Sequence, residues 1–250
     1  MSITIQTTDA TTTAYATGVT PPNLRAVTFD LYRDVHKGIR AELFAVTERA
    51  GGLDPADDLG RADLARQVGG VVDLLVEHAE HEDAAIEPVL LDHLPDLAER
   101  IAADHAVLEG RLARLDGWAT SAVTAPAGRR RADIHALYVE LASFTGAYLA
   151  HQDLEERTVM PALEAAVGVP AVIAVHGAII GRMPPEELAR ALAIMFPAMN
   201  VDDRTDLLGG LRATAPAEAF AGVWSLVRSV LPSGDVRALA DRLGLADAAA

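Results

Sequence analysis

Apolar residues recur at alternating steps of three and four along four long stretches of the chain, the spacing of a single buried helix face. The fourth stretch shows it clearly, with Ile134, Leu137, Leu141 and Phe144 in succession. Glycines and prolines separate the stretches and place the helices at roughly 23–50, 57–91, 95–123 and 129–167. Helices with such stripes pack nearly parallel to their neighbours. The pattern predicts an all-α protein built on an antiparallel four-helix bundle.

The bundle is expected over residues 23–167, between two segments of different character. Residues 1–22 are Thr-rich and lack a basic start, which predicts a disordered tail rather than a secretory signal; Asn23 is the expected N-cap of the first helix. Residues 168–250 are expected to form a C-terminal helical extension. Its opening, 169–180, is apolar almost all round, so we expect it to be buried against the bundle or a partner subunit.

The amino-acid composition excludes several kinds of cofactor and argues against several classes of partner. The chain has no cysteine, which excludes disulfides, iron–sulfur clusters and thiolate-bound zinc. Its formal net charge of −15 argues against nucleic acid or an anionic membrane surface as a partner. The longest uncharged run, 165–181, is too short for a membrane span. Because residues 1–22 also do not look like a secretory signal, a cytoplasmic protein is expected.

Polar residues interrupt the apolar stripes at six core positions. They are His36, His78, Glu82, His105, His151 and Glu155, and every long helix contributes at least one. An unpaired buried carboxylate costs several kcal/mol, so these groups need compensation within the core. Two of the pairs have i,i+4 spacing, which puts both side chains on one helix face about 5–6 Å apart at Cβ. A pair of metal cations is the simplest compensation.

The six residues form an internal repeat. Both halves of the bundle read His … His-x-x-x-Glu-x5-Pro-x-Leu, with the prolines at Pro88 and Pro161. The repeat predicts two helical hairpins related by a pseudo-twofold axis, with each proline bending or ending its helix just beyond the site. Two metals about 3.5–4 Å apart would then be bridged by the two glutamates, with two histidines on each metal.

The order and spacing of these residues resemble those of the hemerythrin-like (HHE cation-binding) proteins over residues 24–165. The resemblance implies a four-helix bundle with an oxo- or hydroxo-bridged pair of non-haem iron ions, although zinc and manganese accept the same ligands. Members of the family bind dioxygen, sense oxygen or iron, or handle nitric oxide and peroxide. The four-His, two-Glu set resembles a subgroup with peroxide-decomposing or nitric-oxide-reducing behaviour, because Glu109 stands where oxygen carriers have a fifth histidine.

Two functions follow from this resemblance. The first is a catalase-like or nitric-oxide-reducing di-iron oxidoreductase, whose ligand is peroxide or a small diatomic molecule. The alternative is a sensor that binds oxygen, nitric oxide or iron and signals through the C-terminal helices. Sequence leaves the choice between enzyme and sensor open, as it does the presence of a homo-oligomer or a redox partner.

A few further residues lie near the predicted ligands. Tyr32 and Tyr148 are either core aromatics or catalytic phenols that donate a proton or a hydrogen bond to a metal-bound species. His81 is expected on the surface near Glu77 and Glu80. Glu109 is expected to be a surface acid or a hydrogen-bond partner of His105.

Overall fold

The computed structural model describes residues 26–245, all of whose regular structure is helical. The predicted tail over 1–22 and the predicted N-cap Asn23 lie outside these residues. The first half carries α1 (Arg33–Gly52), α2 (Asp58–Ala85), α3 (Glu87–His93), α4 (Pro95–Thr124), α5 (Arg130–Leu154), a π-helical turn (Glu155–Val159) and α6 (Met160–Val167). The second half carries α7 (Val169–Arg182), α8 (Pro185–Ala198), α9 (Val201–Thr214), α10 (Ala217–Val230) and α11 (Ser233–Leu243).

Four long helices form a bundle, as predicted. Helix α1 packs against α2 and α5, and α4 packs against the same two helices, so α2 and α5 occupy opposite corners. Short connections between adjacent helices make neighbours antiparallel. The stripe residues fill the interior, among them Ile39, Leu75, Leu112 and Phe144. The all-α bundle fold with extra C-terminal helices is confirmed.

Helix α1 begins ten residues later than the sequence predicts. The carboxylate of Asp30 accepts hydrogen bonds from the backbone N–H groups of Tyr32 and Arg33, and helix starts at Arg33. Upstream, the backbone N–H groups of Thr28 and Phe29 donate to Glu164 of α6. The stretch is therefore non-helical because it is fastened to α6 and packs its apolar residues there.

The two prolines interrupt their helices as predicted, in different ways. The stretch predicted as one helix over 57–91 divides at Ile86, and Pro88 lies in the first turn of α3. The stretch predicted over 129–167 contains the π-helical turn, in which the Met160 N–H donates to the Glu155 carbonyl. Pro161 follows at once, and because proline has no N–H group it cannot continue the α-helical bonding. The widened turn contains Glu155, one of the predicted ligands.

Helix α7 departs from the bundle at Gly168. This glycine has φ +79° and ψ 160°, a conformation open essentially to glycine alone, and the chain bends there by 115°. Only Val172 and Val175 of α7 are buried, whereas Ile173 is 49% exposed. The expected burial against the bundle is therefore found on one face of this helix, where Val172 and Val175 pack in one cluster with Leu90 and Met160.

No single helix within residues 26–245 has both the length and the apolar character needed to cross a membrane. The segments Arg130–Val167 and Val169–Arg182 reach that character only as a pair, and they are sharply bent against each other.

Helices α8–α11 of the extension form a hydrophobic core of their own and pack against the bundle. Phe196, Leu208 and Val227 are fully buried within α8–α11. Helix α8 lies along α1 so closely that a Cβ atom on Gly38 would be 3.0 Å from Cγ2 of Ile194. The absence of a side chain at this glycine thus permits the close packing of the two helices.

Polar contacts fasten the extension beside the predicted ligands. Lys37, next to His36, pairs with Asp203 of α9, and Arg190 of α8 pairs with Glu77 of α2 at 2.7 Å. His81, expected on the surface near two glutamates, is instead largely covered and contacts Glu187 of α8.

Candidate metal centre

The six polar stripe residues converge inside the bundle, as the sequence predicts. His36 comes from α1, His78 and Glu82 from α2, His105 from α4 and His151 from α5, with Glu155 in the π-helical turn. Their side chains are at most 9% exposed. Two overlapping groups have ligand atoms within 4.8 Å of one another and are spaced to hold a metal ion: Glu82 with His105, His151 and Glu155, and His36 with His78 and Glu82.

Each glutamate lies between the two pairs of histidines. Oε1 of Glu82 is 3.1 Å from Nε2 of His78, and its Oε2 is 3.4 Å from Nε2 of His105. Each carboxylate therefore offers one oxygen to either side, as a bridging ligand does.

Glu155 repeats the arrangement in the other half. Its Oε1 is 3.2 Å from Nε2 of His151, and its Oε2 is 3.4 Å from Nε2 of His36. One side of the centre thus gathers the nitrogens of His36 and His78, and the other side those of His105 and His151. We call these the first and second half-sites.

Several of these buried ligand atoms have no hydrogen-bond partner among the described residues. They are Nε2 of His36, His78 and His105, both oxygens of Glu82 and Oε2 of Glu155. The short nitrogen–oxygen distances therefore lack hydrogen-bond geometry. Buried polar atoms normally have hydrogen-bond partners. Unpaired nitrogens and oxygens that face one another therefore require protons or cations between them. Imidazole nitrogens and carboxylate oxygens are the donors that iron, manganese and zinc take, so the residues fit a pair of such ions.

In the protein without metal, the close approach of these histidines and glutamates shifts the pKa values of several of them. Burial opposes the charged form of His105, but contacts with Glu82 and Asp83 prevail and raise its pKa to about 9. Burial likewise opposes the charge on Glu82, yet His78 and His105 hold its pKa well below the usual value. Without cations, protons on the imidazoles therefore balance the buried carboxylates.

Acidic residues outside the six hold the far nitrogen of two rings. The Nδ1–H group of His36 donates to Oε1 of Glu156, and that of His105 donates to Oδ1 of Asp83, both at 2.9 Å. Such partners fix the orientation of a metal-binding imidazole and raise its basicity. Nδ1 of His151 faces Asp104 at 3.7 Å, too far for a hydrogen bond.

The ligand spacing indicates only the six predicted ligands, although the acidic residue after each glutamate could have indicated these two hydrogen-bond acceptors. Asp83 directly follows Glu82, and Glu156 directly follows Glu155, so both motifs read His-x-x-x-Glu-acid. Each acid serves the isolated histidine of the opposite half, in agreement with the internal repeat. Arg40 gives no such signal, although its guanidinium holds Glu156 with two bonds of 2.7 and 3.0 Å.

The pKa of Glu156 reflects this setting. Burial works against its charge, but bonds from His36 and Arg40 lower its pKa to about 2. The carboxylate is therefore anionic at neutral pH and always able to accept from the imidazole.

Both candidate phenols are buried beside the centre. The ring of Tyr32 lies 5.0 Å from that of His36, and the ring of Tyr148 lies 5.7 Å from that of His151. Burial, followed by the charges of Glu82 and Glu155, raises the pKa of both phenols well above the usual value. Both therefore keep their protons at neutral pH.

Glu109 takes no part in the centre. It is exposed on α4, and the hydrogen bond to the His105 ring comes from Asp83 instead. Of the two roles expected for Glu109, the surface acid agrees with the structure.

The sequence model described as the hemerythrin HHE cation-binding domain matches residues 27–163, more than half of the chain. No curated protein and no solved structure matches the chain.

Proposed function

Since the chain belongs to the hemerythrin HHE cation-binding domain family, we propose that it binds two iron ions and uses them to decompose peroxide or reduce nitric oxide. The observation that carries this proposal is the bridging position of two buried carboxylates between two pairs of imidazoles. Glu82 would bridge with one oxygen toward His78 and the other toward His105, and Glu155 would do the same for His36 and His151.

The donor set supports iron with free coordination positions. Each half-site offers two imidazoles and carboxylate oxygen, the ligand types of non-haem iron centres that keep positions open for oxygen ligands. When bound, a pair of iron ions supplies one-electron redox steps and positions for a small exogenous ligand. The protein around it contributes buried, fixed ligands and neutral proton donors.

Tyr148 and Tyr32 are the proposed proton donors. A raised pKa keeps each phenol protonated beside two carboxylates. A phenol in this position can donate a hydrogen bond or a proton to an oxygen atom of a small ligand as its charge changes.

Electron balance separates the two reactions. Two peroxide molecules give one dioxygen and two waters, so peroxide decomposition requires no external electrons. Two nitric oxide molecules give nitrous oxide and water only with two electrons and two protons from a donor. Peroxide decomposition is therefore tested with the iron-loaded protein alone, and nitric oxide reduction only with an added reductant.

The test of the proposed function is oxygen release from peroxide by the full chain loaded with iron(II). We expect many turnovers per chain, in proportion to bound iron, and none after chelation. A Glu82→Gln variant should bind less iron and lose turnover, whereas a Glu109→Gln variant, altered at an exposed position, should keep its iron and its turnover. Fewer than one turnover per chain with peroxide, and with nitric oxide plus a reductant, would contradict the enzymatic proposal.

One observation favours a sensor as the second candidate. The extension touches α1 and α2 beside the first half-site, through Lys37 next to His36 and through His81 between His78 and Glu82. A change at the ligands therefore has a short route to the C-terminal helices.

Limited proteolysis distinguishes this candidate. Iron-loaded protein kept without oxygen and the same protein exposed to oxygen or nitric oxide should differ in cleavage of residues 183–245. Equal cleavage under all three conditions would contradict the sensor.

A further inference from the structure

The isolated histidines of the two half-sites receive unequal support. His36 donates to Glu156, and His105 donates to Asp83, at the same distance of 2.9 Å. The two acceptors differ in their own surroundings. The side chain of Glu156 is 25% exposed, whereas that of Asp83 is 44% exposed.

Arg40 makes the larger difference. It forms two parallel bonds with Glu156, Nη1 to Oε1 at 2.7 Å and Nη2 to Oε2 at 3.0 Å. A guanidinium fork of this kind fixes both the position and the plane of a carboxylate. Throughout residues 26–245, no lysine or arginine pairs with Asp83.

Position in the bundle strengthens the contrast. Arg40 lies one turn after His36 on α1, and Glu156 lies in the π-helical turn beside α5. Through their contacts with Glu156, Arg40 and His36 thus link α1 to the π-helical turn at the level of the predicted ligands. Asp83 instead lies near the C-terminal end of α2, where Arg182 donates to the backbone carbonyl of the neighbouring Ala84 and not to the Asp83 carboxylate.

We propose that Arg40 acts through Glu156 as a positioning residue for His36 and makes the first half-site the tighter of two unequal cation sites. This inference rests on the proposed two-ion centre. An imidazole ring that is already oriented loses less conformational freedom when it binds a cation. Loss of such a hydrogen-bond partner typically weakens metal binding by 10–100-fold. The second half-site, with a less restrained acceptor, is the exchangeable one.

Cobalt(II) titration of the chelator-treated full chain tests the inference, with visible absorption following each binding step. Wild-type protein should bind two cobalt ions in two steps of different affinity. His36→Ala should remove the tighter step, and His105→Ala the weaker. These two variants assign each step to its half-site before any positioning residue is changed.

The positioning variants then give opposite results. Arg40→Met should weaken the tighter step by about 10–100-fold and leave the weaker step in place. Arg40→Lys, which keeps the charge but not the fork, should recover part of the loss. Asp83→Asn should weaken only the weaker step. If Arg40→Met fails to fold, Glu156→Gln, which keeps the acceptor oxygen and loses the charge, serves in its place.

The inference is overturned if Arg40→Met leaves both steps unchanged, if it weakens both equally, or if Asp83→Asn weakens the tighter step. Binding of fewer than two cobalt ions by the wild-type chain is a different outcome, because it contradicts the proposed two-ion centre itself.

Discussion

A carboxylate oxygen of Glu82 and one of Glu155 lie within 4.8 Å of each other, although the two residues come from opposite corners of the bundle. Two negative charges at that distance repel by about 3–4 kcal/mol at an effective dielectric constant of about 20. Positive charge between them is therefore required, from protons on the neighbouring imidazoles or from metal ions.

Replacement of Glu82, the proposed bridging carboxylate, should reduce metal binding. Glu82→Gln keeps the shape of the side chain but removes its charge and one metal-binding oxygen. We expect bound metal to fall from two ions per chain to one or none, measured by elemental analysis after dialysis. The matched control is Glu109→Gln, on the exposed face of α4, which should retain two ions.

Removal of metal should lower stability. A ligand at about 100 times its dissociation constant stabilises the folded state by about 2.7 kcal/mol. For a chain of this size each kcal/mol moves Tm by about 2–4 °C, so chelation should lower Tm by about 5–10 °C. Calorimetry with and without chelator measures the shift. An unchanged Tm would mean that the buried ligands do not hold metal.

The stability of the metal-free protein should depend on pH more strongly than that of the metal-loaded protein. Without metal, the pKa of His105 rises to about 9 from an ordinary 6.5. Its contribution to stability is therefore complete below pH 6.5 and is lost as pH rises through about 9. Because metal displaces that proton, the affinity of the protein for metal should increase as pH rises over the same range.

Urea unfolding between pH 6.5 and 9, with chelator and with iron(II), provides the comparison. The chelated protein should become less stable as pH rises, whereas the loaded protein should stay nearly constant, because its His105 carries no proton to lose over this range. Parallel curves would show that binding does not displace a proton.

Docking of the extension can be tested at a glycine. In Gly38→Ala the new Cβ would be 3.0 Å from Cγ2 of Ile194 and 3.4 Å from its backbone carbonyl, so the Ile194 side chain or α8 itself must give way slightly. Gly146→Ala on α5 meets nothing within 4 Å and gains about 0.5–1 kcal/mol of helix preference. We expect Gly38→Ala to be about 1–3 kcal/mol less stable than this control in urea unfolding. Equal stabilities would contradict the close packing of α8 on α1.

The phenols should matter for turnover but not for metal content. Tyr148→Phe removes a buried proton donor while keeping the packing of the ring against Phe144. General acid catalysis typically contributes 100-fold or more, so peroxide turnover should fall by about 100-fold with both irons retained. Tyr138→Phe, on a partly exposed ring, is the control. Wild-type turnover in Tyr148→Phe would assign that tyrosine to the core alone.

The sequence predicts the bundle and the convergence of the six polar side chains because both depend on one periodicity. A polar residue in phase with an apolar stripe must face the core, and four stripes that face one core bring their polar residues together. The i,i+4 pairs and the repeated proline then determine which residues lie at the same level.

Other features depend on contacts between distant segments. The late start of α1 results from bonds between Thr28 and Phe29 and the side chain of Glu164, 135 or more residues away. Arg40 and His81 also acquire partners from remote helices, Glu156 and Glu187 respectively. No local pattern indicates such pairs.

Anomalous diffraction at the iron edge, from crystals of the iron-loaded full chain, tests the central claim most directly. We predict two peaks about 3.5–4 Å apart, each near two of the four histidine nitrogens, with Glu82 and Glu155 between them. A single peak, or peaks away from these six side chains, would contradict the account.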